Sequence, residues 1–138
     1  MLVAWVFNTL ALVFGVLLGA RALFDPKWAS RLVRLREDEQ GGGFAEFRAT
    51  YGGVFLGLHA VTLFMSLKYL MGGEFVLGVA AAGGCAALSA GWAGAAFGRA
   101  VAIVRDKADT KFNRFSVLFE LVMAAALGGP WAVWALSL

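Results

Sequence analysis

Four long apolar segments fill most of this chain, and nearly all of its charge lies in the stretches that join them. The segments cover about residues 2–24, 50–70, 75–104 and 115–138. Each is long enough to cross the ~30 Å hydrocarbon core of a bilayer as a helix, which takes ~20 residues. With 61% hydrophobic residues and a mean hydropathy of +0.77, the chain has the composition of a polytopic membrane protein. The sequence therefore predicts an all-α integral membrane four-helix bundle, formed by a single transmembrane domain over residues 1–138.

The connection between the first two segments predicts a short helix of its own, at about residues 26–36. Asp25 is a typical N-cap, and Pro26 then occupies the first helical position. One side of this helix is apolar and carries Trp28, Leu32 and Leu35. Such a helix is expected to lie in the membrane interface, with the acidic run at residues 37–39 marking the exit into water.

Lysine and arginine are concentrated in the first and third connections. The residues concerned are Arg21, Lys27, Arg31, Arg34 and Arg36 in the first, and Arg99, Arg105, Lys107, Lys111 and Arg114 in the third. The positive-inside rule places both connections in the cytoplasm and both termini outside. Anionic lipids of the inner leaflet are a natural partner for these side chains, so the net charge of +3 does not predict a nucleic-acid partner.

Small residues recur at helical spacing in three of the segments, and such stripes let helix backbones approach closely in lipid. The third segment carries Ala80, Gly84, Ala87, Gly91, Gly94 and Gly98; the second carries Ala49, Gly53 and Gly57; the first carries Gly15 and Gly19. Each stripe is expected to form a packing seam within the chain. An interface between copies of the chain is the alternative, and spacing does not separate the two.

Three ionisable residues are expected to lie at similar depth in the membrane: Arg48, Arg99 and Glu120. Charges within a bilayer generally face the protein interior and find partners. The sequence therefore predicts a network in which Glu120 pairs with one or both arginines. Such a network either fixes helix register only or forms a site for an anion or a lipid headgroup.

His59 is the only histidine and lies near the middle of the second segment. Its helical stripe also carries Arg48, Gly52, Phe55, Thr62 and Ser66, and is too polar to face lipid. A hydrogen-bonded interior histidine, with Asn8 or Thr9 as its partner, is favoured over a proton relay. Since Cys85 is the only cysteine, the sequence predicts neither a disulfide nor a metal site. It also predicts no cofactor.

The run Glu46-Phe47-Arg48-Ala49-Thr50-Tyr51-Gly52-Gly53 resembles the signature of a bacterial four-span membrane family of unknown function, with a plan similar to the broader DoxX-like group. Gly98-Arg99 near the end of the third span and Glu120 in the fourth also fit this pattern. The resemblance implies a bacterial inner-membrane location. It also implies that Arg48, Tyr51, Gly52, Gly53, Arg99 and Glu120 act as a set, but it implies no activity.

Taken together, these features favour a small accessory or scaffold subunit that works within the lipid bilayer, as a homo-oligomer or as part of a larger membrane complex. The alternative is a carrier or binder of a small anionic or lipidic ligand, with candidate residues Arg48, Tyr51, His59, Arg99 and Glu120. An enzyme is less favoured, because the sequence has no nucleophile–base pair or cofactor motif. An enzyme of this sequence would need a bound quinone or haem. Gly52, Gly53, Gly84, Gly91, Gly94 and Gly98 are the expected packing residues.

Overall fold

The fold is all-α, as predicted, and consistent with a helical bundle. The computed structural model describes residues 2–35 and 42–136, and no strand occurs among them. The helices are α1 (Leu2–Phe24), α2 (Pro26–Val33), α3 (Gly42–Glu46), α4 (Phe55–Leu70), α5 (Phe75–Arg105) and α6 (Lys111–Ala135). A π-helix at Phe47–Val54 continues α3 into α4.

Four helical stretches are long and apolar enough to cross a membrane, so the chain has the character of a multi-pass membrane protein. They are Leu2–Phe24, Gly43–Leu70, Phe75–Arg105 and Lys111–Ala135. Large apolar side chains on them are exposed, including Phe97 at 73%. The second stretch begins earlier than the predicted residue 50, because α3 and the π-helix run into α4 without a break. The fourth begins at Lys111 rather than near residue 115, and its predicted end at 137–138 lies outside the described residues.

The short helix after the first span forms as predicted but ends earlier. The Asp25 carboxylate accepts a hydrogen bond from the Trp28 backbone N–H at 3.0 Å, and Pro26 follows the cap. The helix ends at Val33, where Arg34 adopts the left-handed conformation (φ 61°) and its N–H donates to the Ser30 carbonyl. The acidic run at residues 37–39 lies outside the described residues.

The described residues belong to two compact units. The N-terminal unit lies within Leu12–Phe64, and the C-terminal unit lies within Met1–Ala11 and Met65–Leu138. α1 and α4 each contribute residues to both units. The prediction of one domain over residues 1–138 stays a prediction.

In the N-terminal unit, glycines allow backbones to approach closely. A Cβ atom built at Gly19 would lie 2.5 Å from the backbone nitrogen of Leu56, and one built at Gly52 would lie 2.7 Å from Cα of Leu23. Both are far inside the 3.5–4.0 Å of ordinary carbon contacts. Gly19 of the predicted α1 seam and Gly52 therefore lie where the backbones approach closely. Gly53 is exposed, and a Cβ there would meet only the Arg48 carbonyl, at 3.5 Å.

In the C-terminal unit, α5 packs through a different face from the predicted seam. The buried residues of α5 are Gly78, Ala81, Ala82, Cys85 and Ala96. Gly91, Gly94 and Gly98 are exposed, and a Cβ built at any of them would meet no described atom within 4 Å. Gly84 is half-buried. The structure thus corrects the expectation of an intrachain seam at these three glycines, while the interface between copies stays a prediction.

The reason for this correction lies in the composition of α5, which carries small residues on every face. Spacing alone then cannot select the face that packs. Larger and polar side chains of α5 decide which face packs against α6. Ser89 donates to the Ala124 carbonyl of α6 at 2.7 Å, and the Trp92 ring contacts the Phe119 ring edge-on, with 5.7 Å between the centroids. These contacts join α5 to α6, whereas the buried Gly78 and Cys85 of α5 contact Tyr69 and Asn8.

Candidate functional site

Arg99 and Glu120 form an ion pair between α5 and α6, in the C-terminal unit. Arg99 Nη2 donates to Glu120 Oε1 at 2.7 Å, and Arg99 Nε donates to Oε1 and Oε2 at 3.1 and 3.2 Å. The Glu120 side chain is only 8% exposed, whereas that of Arg99 is 33% exposed. The carboxylate is thus held from one edge of the guanidinium plane, which is the strong geometry for such a pair.

The connection between α5 and α6 fixes the level at which the two charges meet. Thr110 caps α6 by accepting from the Asn113 backbone N–H at 3.1 Å. The Asn113 side chain in turn donates to the Ala108 carbonyl at 2.7 Å. With the turn fixed in this way, the antiparallel packing of α5 on α6 brings Arg99 opposite Glu120.

Arg48, in the N-terminal unit, has a partner that sequence reasoning missed. Its guanidinium donates to the main-chain carbonyl of Leu23, in the last turn of α1. The last carbonyls of a helix have no partner within the helix, and a basic side chain commonly supplies one. The expected network is therefore resolved into two interactions: Arg99 pairs with Glu120, and Arg48 caps α1.

Arg48 reaches the end of α1 from the π-helix that carries most of the quoted motif. Segments of this kind are rare and frequently occur at functional positions. Tyr51 lies on the same π-helix, 40% exposed, with its ring 5.4 Å from that of Phe47. Close approach of Gly52 to Leu23 places the π-helix directly against α1.

His59 is an interior residue of the N-terminal unit, as predicted, and is 1% exposed. Its Nδ1 lies 2.8 Å from the Phe55 carbonyl, so Nδ1 carries the proton and donates. The ring lies 4.2 Å from that of Phe55 and fills the space left by Gly15, where a Cβ would lie 2.0 Å from His59 Cδ2. The expected partners make other bonds: Thr9 donates to the Trp5 carbonyl, and Asn8 belongs to a separate cluster.

That cluster is the interior polar group of the C-terminal unit. The Asn8 side-chain amide donates to Cys85 Sγ at 3.0 Å and to the Leu127 carbonyl at 2.9 Å, while Ser66 Oγ lies 3.9 Å from the same sulfur. Asn8, Ser66 and Cys85 are all fully buried. Asn8 Oδ1 is also buried and accepts no hydrogen bond from the part of the chain that the structure describes. The sequence analysis placed Asn8 and Ser66 among the interior polar residues, but it did not join them to Cys85.

Comparison with protein-family models, curated proteins and solved structures finds no match. The resemblance carried by residues 46–53 therefore stays a prediction.

The C-terminal unit carries a surface groove without polar side chains. An open groove of about 350 Å³ lies on the surface of the C-terminal unit, lined by Ala4, Phe7, Val122, Ala125, Ala126 and Gly129. Its lining side chains offer no polar group that could orient a ligand, in contrast to ordinary ligand pockets. Among residues 2–35 and 42–136, no group of three His, Cys, Asp or Glu side chains could hold a metal ion.

Proposed function

We propose that this chain is a small accessory or scaffold subunit of the bacterial inner membrane. The observation that carries the proposal is the closed Arg99–Glu120 pair, in which both carboxylate oxygens accept from one guanidinium and the carboxylate is 8% exposed. A carboxylate held in this way is occupied by its partner. Such a pair fixes the register of α5 against α6.

The other polar side chains support the same proposal, because they bond to main-chain carbonyls. Arg48 donates to Leu23, Asn8 to Leu127, and Ser89 to Ala124. Hydrogen bonds of this kind hold helices together in lipid. Helices joined by such bonds within each unit suit a subunit that supports other membrane proteins.

The asymmetry of lysine and arginine supports a topology with both termini outside. The ends of the spans support it too. Trp5 and Tyr69 lie at the ends opposite the basic connections, with ring centroids 5.2 Å apart, where an aromatic belt is expected at the outer interface.

A double-mutant cycle on Arg99 and Glu120 tests the proposed structural role. Glu120→Ala leaves a guanidinium without its counter-charge, and breaking a buried pair from one side costs ~3–5 kcal/mol of unfolding free energy. Because Arg99 is one-third exposed, we expect the lower end of that range or less. Glu120→Ala combined with Arg99→Met should recover most of the loss.

The exposed Asp109–Arg114 pair is the matched control. Its closest atoms are 3.4 Å apart, and both side chains are more than half exposed. Asp109→Ala should therefore change the unfolding free energy by less than ~1 kcal/mol. Additive losses in the Arg99 and Glu120 cycle would contradict a register-fixing pair.

A scaffold subunit must also associate. Chemical crosslinking in native membranes, followed by extraction in mild detergent, should recover the chain in a complex of defined mass. Recovery only as a monomer, both before and after extraction, would contradict the scaffold role even if the double-mutant cycle succeeds.

A further inference from the structure

The Arg99 guanidinium presents a second edge that the pair with Glu120 leaves open. Glu120 accepts from Nε and from one N–H of Nη2. Nη1 donates to no described residue, and the Arg99 side chain is 33% exposed. Nη1 and the remaining N–H of Nη2 together form a fork that matches two oxygens of a phosphate.

The length of α5 places this fork near the level of lipid phosphates. α5 has 31 residues and is therefore ~46 Å long, whereas the hydrocarbon core takes up ~30 Å, or ~20 residues. Its N-terminal end lies beside two aromatic residues of the kind that favour an interface, since the Tyr69 ring packs against Gly78 and contacts Trp5. Counting ~20 residues from Phe75 places the opposite hydrocarbon boundary near Ala95. Arg99 follows one turn later.

The charges around this end of α5 favour an anionic lipid over a neutral one. The exposed residues near the α5–α6 connection include four basic side chains, Arg105, Lys107, Lys111 and Arg114, and two acidic ones, Asp106 and Asp109. Glu120 neutralises Arg99 itself, so an excess of two positive charges remains. Basic residues next to a span attract anionic headgroups by ~1 kcal/mol each.

We propose that Arg99 binds the phosphate of an anionic phospholipid through Nη1 and Nη2, while Glu120 holds the guanidinium in position from the opposite edge. Glu120 thus acts as a positioning residue for the lipid site. The scaffold role does not include a bound ligand, whereas this site binds an anionic phospholipid through two nitrogen atoms of Arg99.

The test uses the full chain with both charges of the pair removed together. Arg99→Met with Glu120→Met keeps the net charge and leaves no unpaired carboxylate, so the fold should persist. Native mass spectrometry from detergent would measure the binding of added phosphatidylglycerol and phosphatidylcholine. The wild-type chain should bind phosphatidylglycerol about tenfold more tightly than phosphatidylcholine, which corresponds to about 1.4 kcal/mol. The double variant should bind both lipids more weakly, because each phosphate loses the Arg99 fork, and its affinity for phosphatidylglycerol should fall about tenfold.

A matched control replaces the neighbouring exposed pair, as Arg114→Gln with Asp109→Asn, again at constant net charge. Its preference should stay within about threefold of wild type. Arg99→Lys keeps the charge but not the fork, and should weaken phosphatidylglycerol binding by a factor of about three to ten. This variant tests the proposal even if the Met pair fails to fold.

Two results would overturn the lipid assignment. An unchanged affinity for phosphatidylglycerol in both Arg99 variants would exclude the guanidinium as the donor. Displacement of the lipid by millimolar inorganic phosphate would identify a site for a soluble anion instead. Either result leaves the double-mutant cycle on stability untouched, so failure of the lipid site and failure of the scaffold role can be distinguished.

Discussion

Gly15→Ala should destabilise the fold because its new methyl group collides with the His59 ring. The Cβ atom would lie 2.0 Å from His59 Cδ2 and 2.5 Å from Nε2. Reaching a normal contact requires a displacement of ~1.5 Å. The ring is 1% exposed and bonded to the Phe55 carbonyl, so it has little room to move.

The magnitude follows from three contributions to the unfolding free energy. Overpacking costs ~1–3 kcal/mol. Moving the ring also weakens its hydrogen bond to Phe55, which contributes ~1 kcal/mol. Replacing glycine by alanine inside a helix returns ~1 kcal/mol. The net loss for Gly15→Ala is therefore ~1–3 kcal/mol, and Gly91→Ala, with no described atom within 4 Å, should lose nothing.

Reversible unfolding in mixed micelles of dodecyl maltoside and sodium dodecyl sulfate, followed by tryptophan fluorescence, would measure these differences. The cost of Gly15→Ala should largely disappear in a His59→Ala background, because the atoms that collide are gone. The cost of Gly19→Ala should not, since its Cβ meets the backbone of Leu56. If Gly15→Ala is harmless, or as costly without the imidazole as with it, the argument from the His59 ring fails.

Three further predictions concern the remaining polar contacts and the topology. Arg48→Met should cost ~1.5–3 kcal/mol in the same unfolding assay, as loss of a charged hydrogen bond to Leu23 does, and Arg48→Lys should cost less. Asn8→Leu should cost less than Asn8→Ala, because leucine fills the space and removes a buried acceptor that has no partner, whereas alanine leaves a cavity. A reporter enzyme active only outside the cytoplasm should work at the C-terminus and fail when inserted at Gly42; the reverse pattern would refute the proposed orientation.

The sequence predicts the spans well because hydropathy and charge both mark their ends, but it misses polar helix starts. The first turn of α6 contains Lys111, Asn113 and Arg114, so hydropathy places the start too late. Thr110, a good N-cap, carries the signal that would have corrected it. The early start of the second span has another cause. The helical stretch continues through Arg48 as a π-helix, which is too rare a structure to be expected from the sequence.

For the candidate site, residue spacing predicted the depth of each side chain but not the partner that it contacts. Counting inward from the predicted span ends at residues 104 and 115 places Arg99 and Glu120 at one level, and the structure joins them. Counting gives depth but not rotation about the helix axis. Depth alone therefore suggested Asn8 as a partner for His59, whereas Asn8 bonds to Cys85.

The sequence analysis also missed the hydrogen bonds from side chains to main-chain carbonyls. These bonds explain how a small number of polar side chains can join the helices. Arg48, Asn8 and Ser89 each donate across to a carbonyl of another helix. A carbonyl is present at every residue, so only the donor needs a polar side chain, and only the donor is visible in the sequence. Such bonds average ~0.6 kcal/mol in a membrane bundle, because the same groups also find partners in the unfolded chain within the membrane. A carbonyl inside a helix also keeps its own backbone bond when the side chain is removed. The carbonyl of Leu23 lies in the last turn of α1, where no such bond is available, so the Arg48 contact should be the costliest of the three to lose.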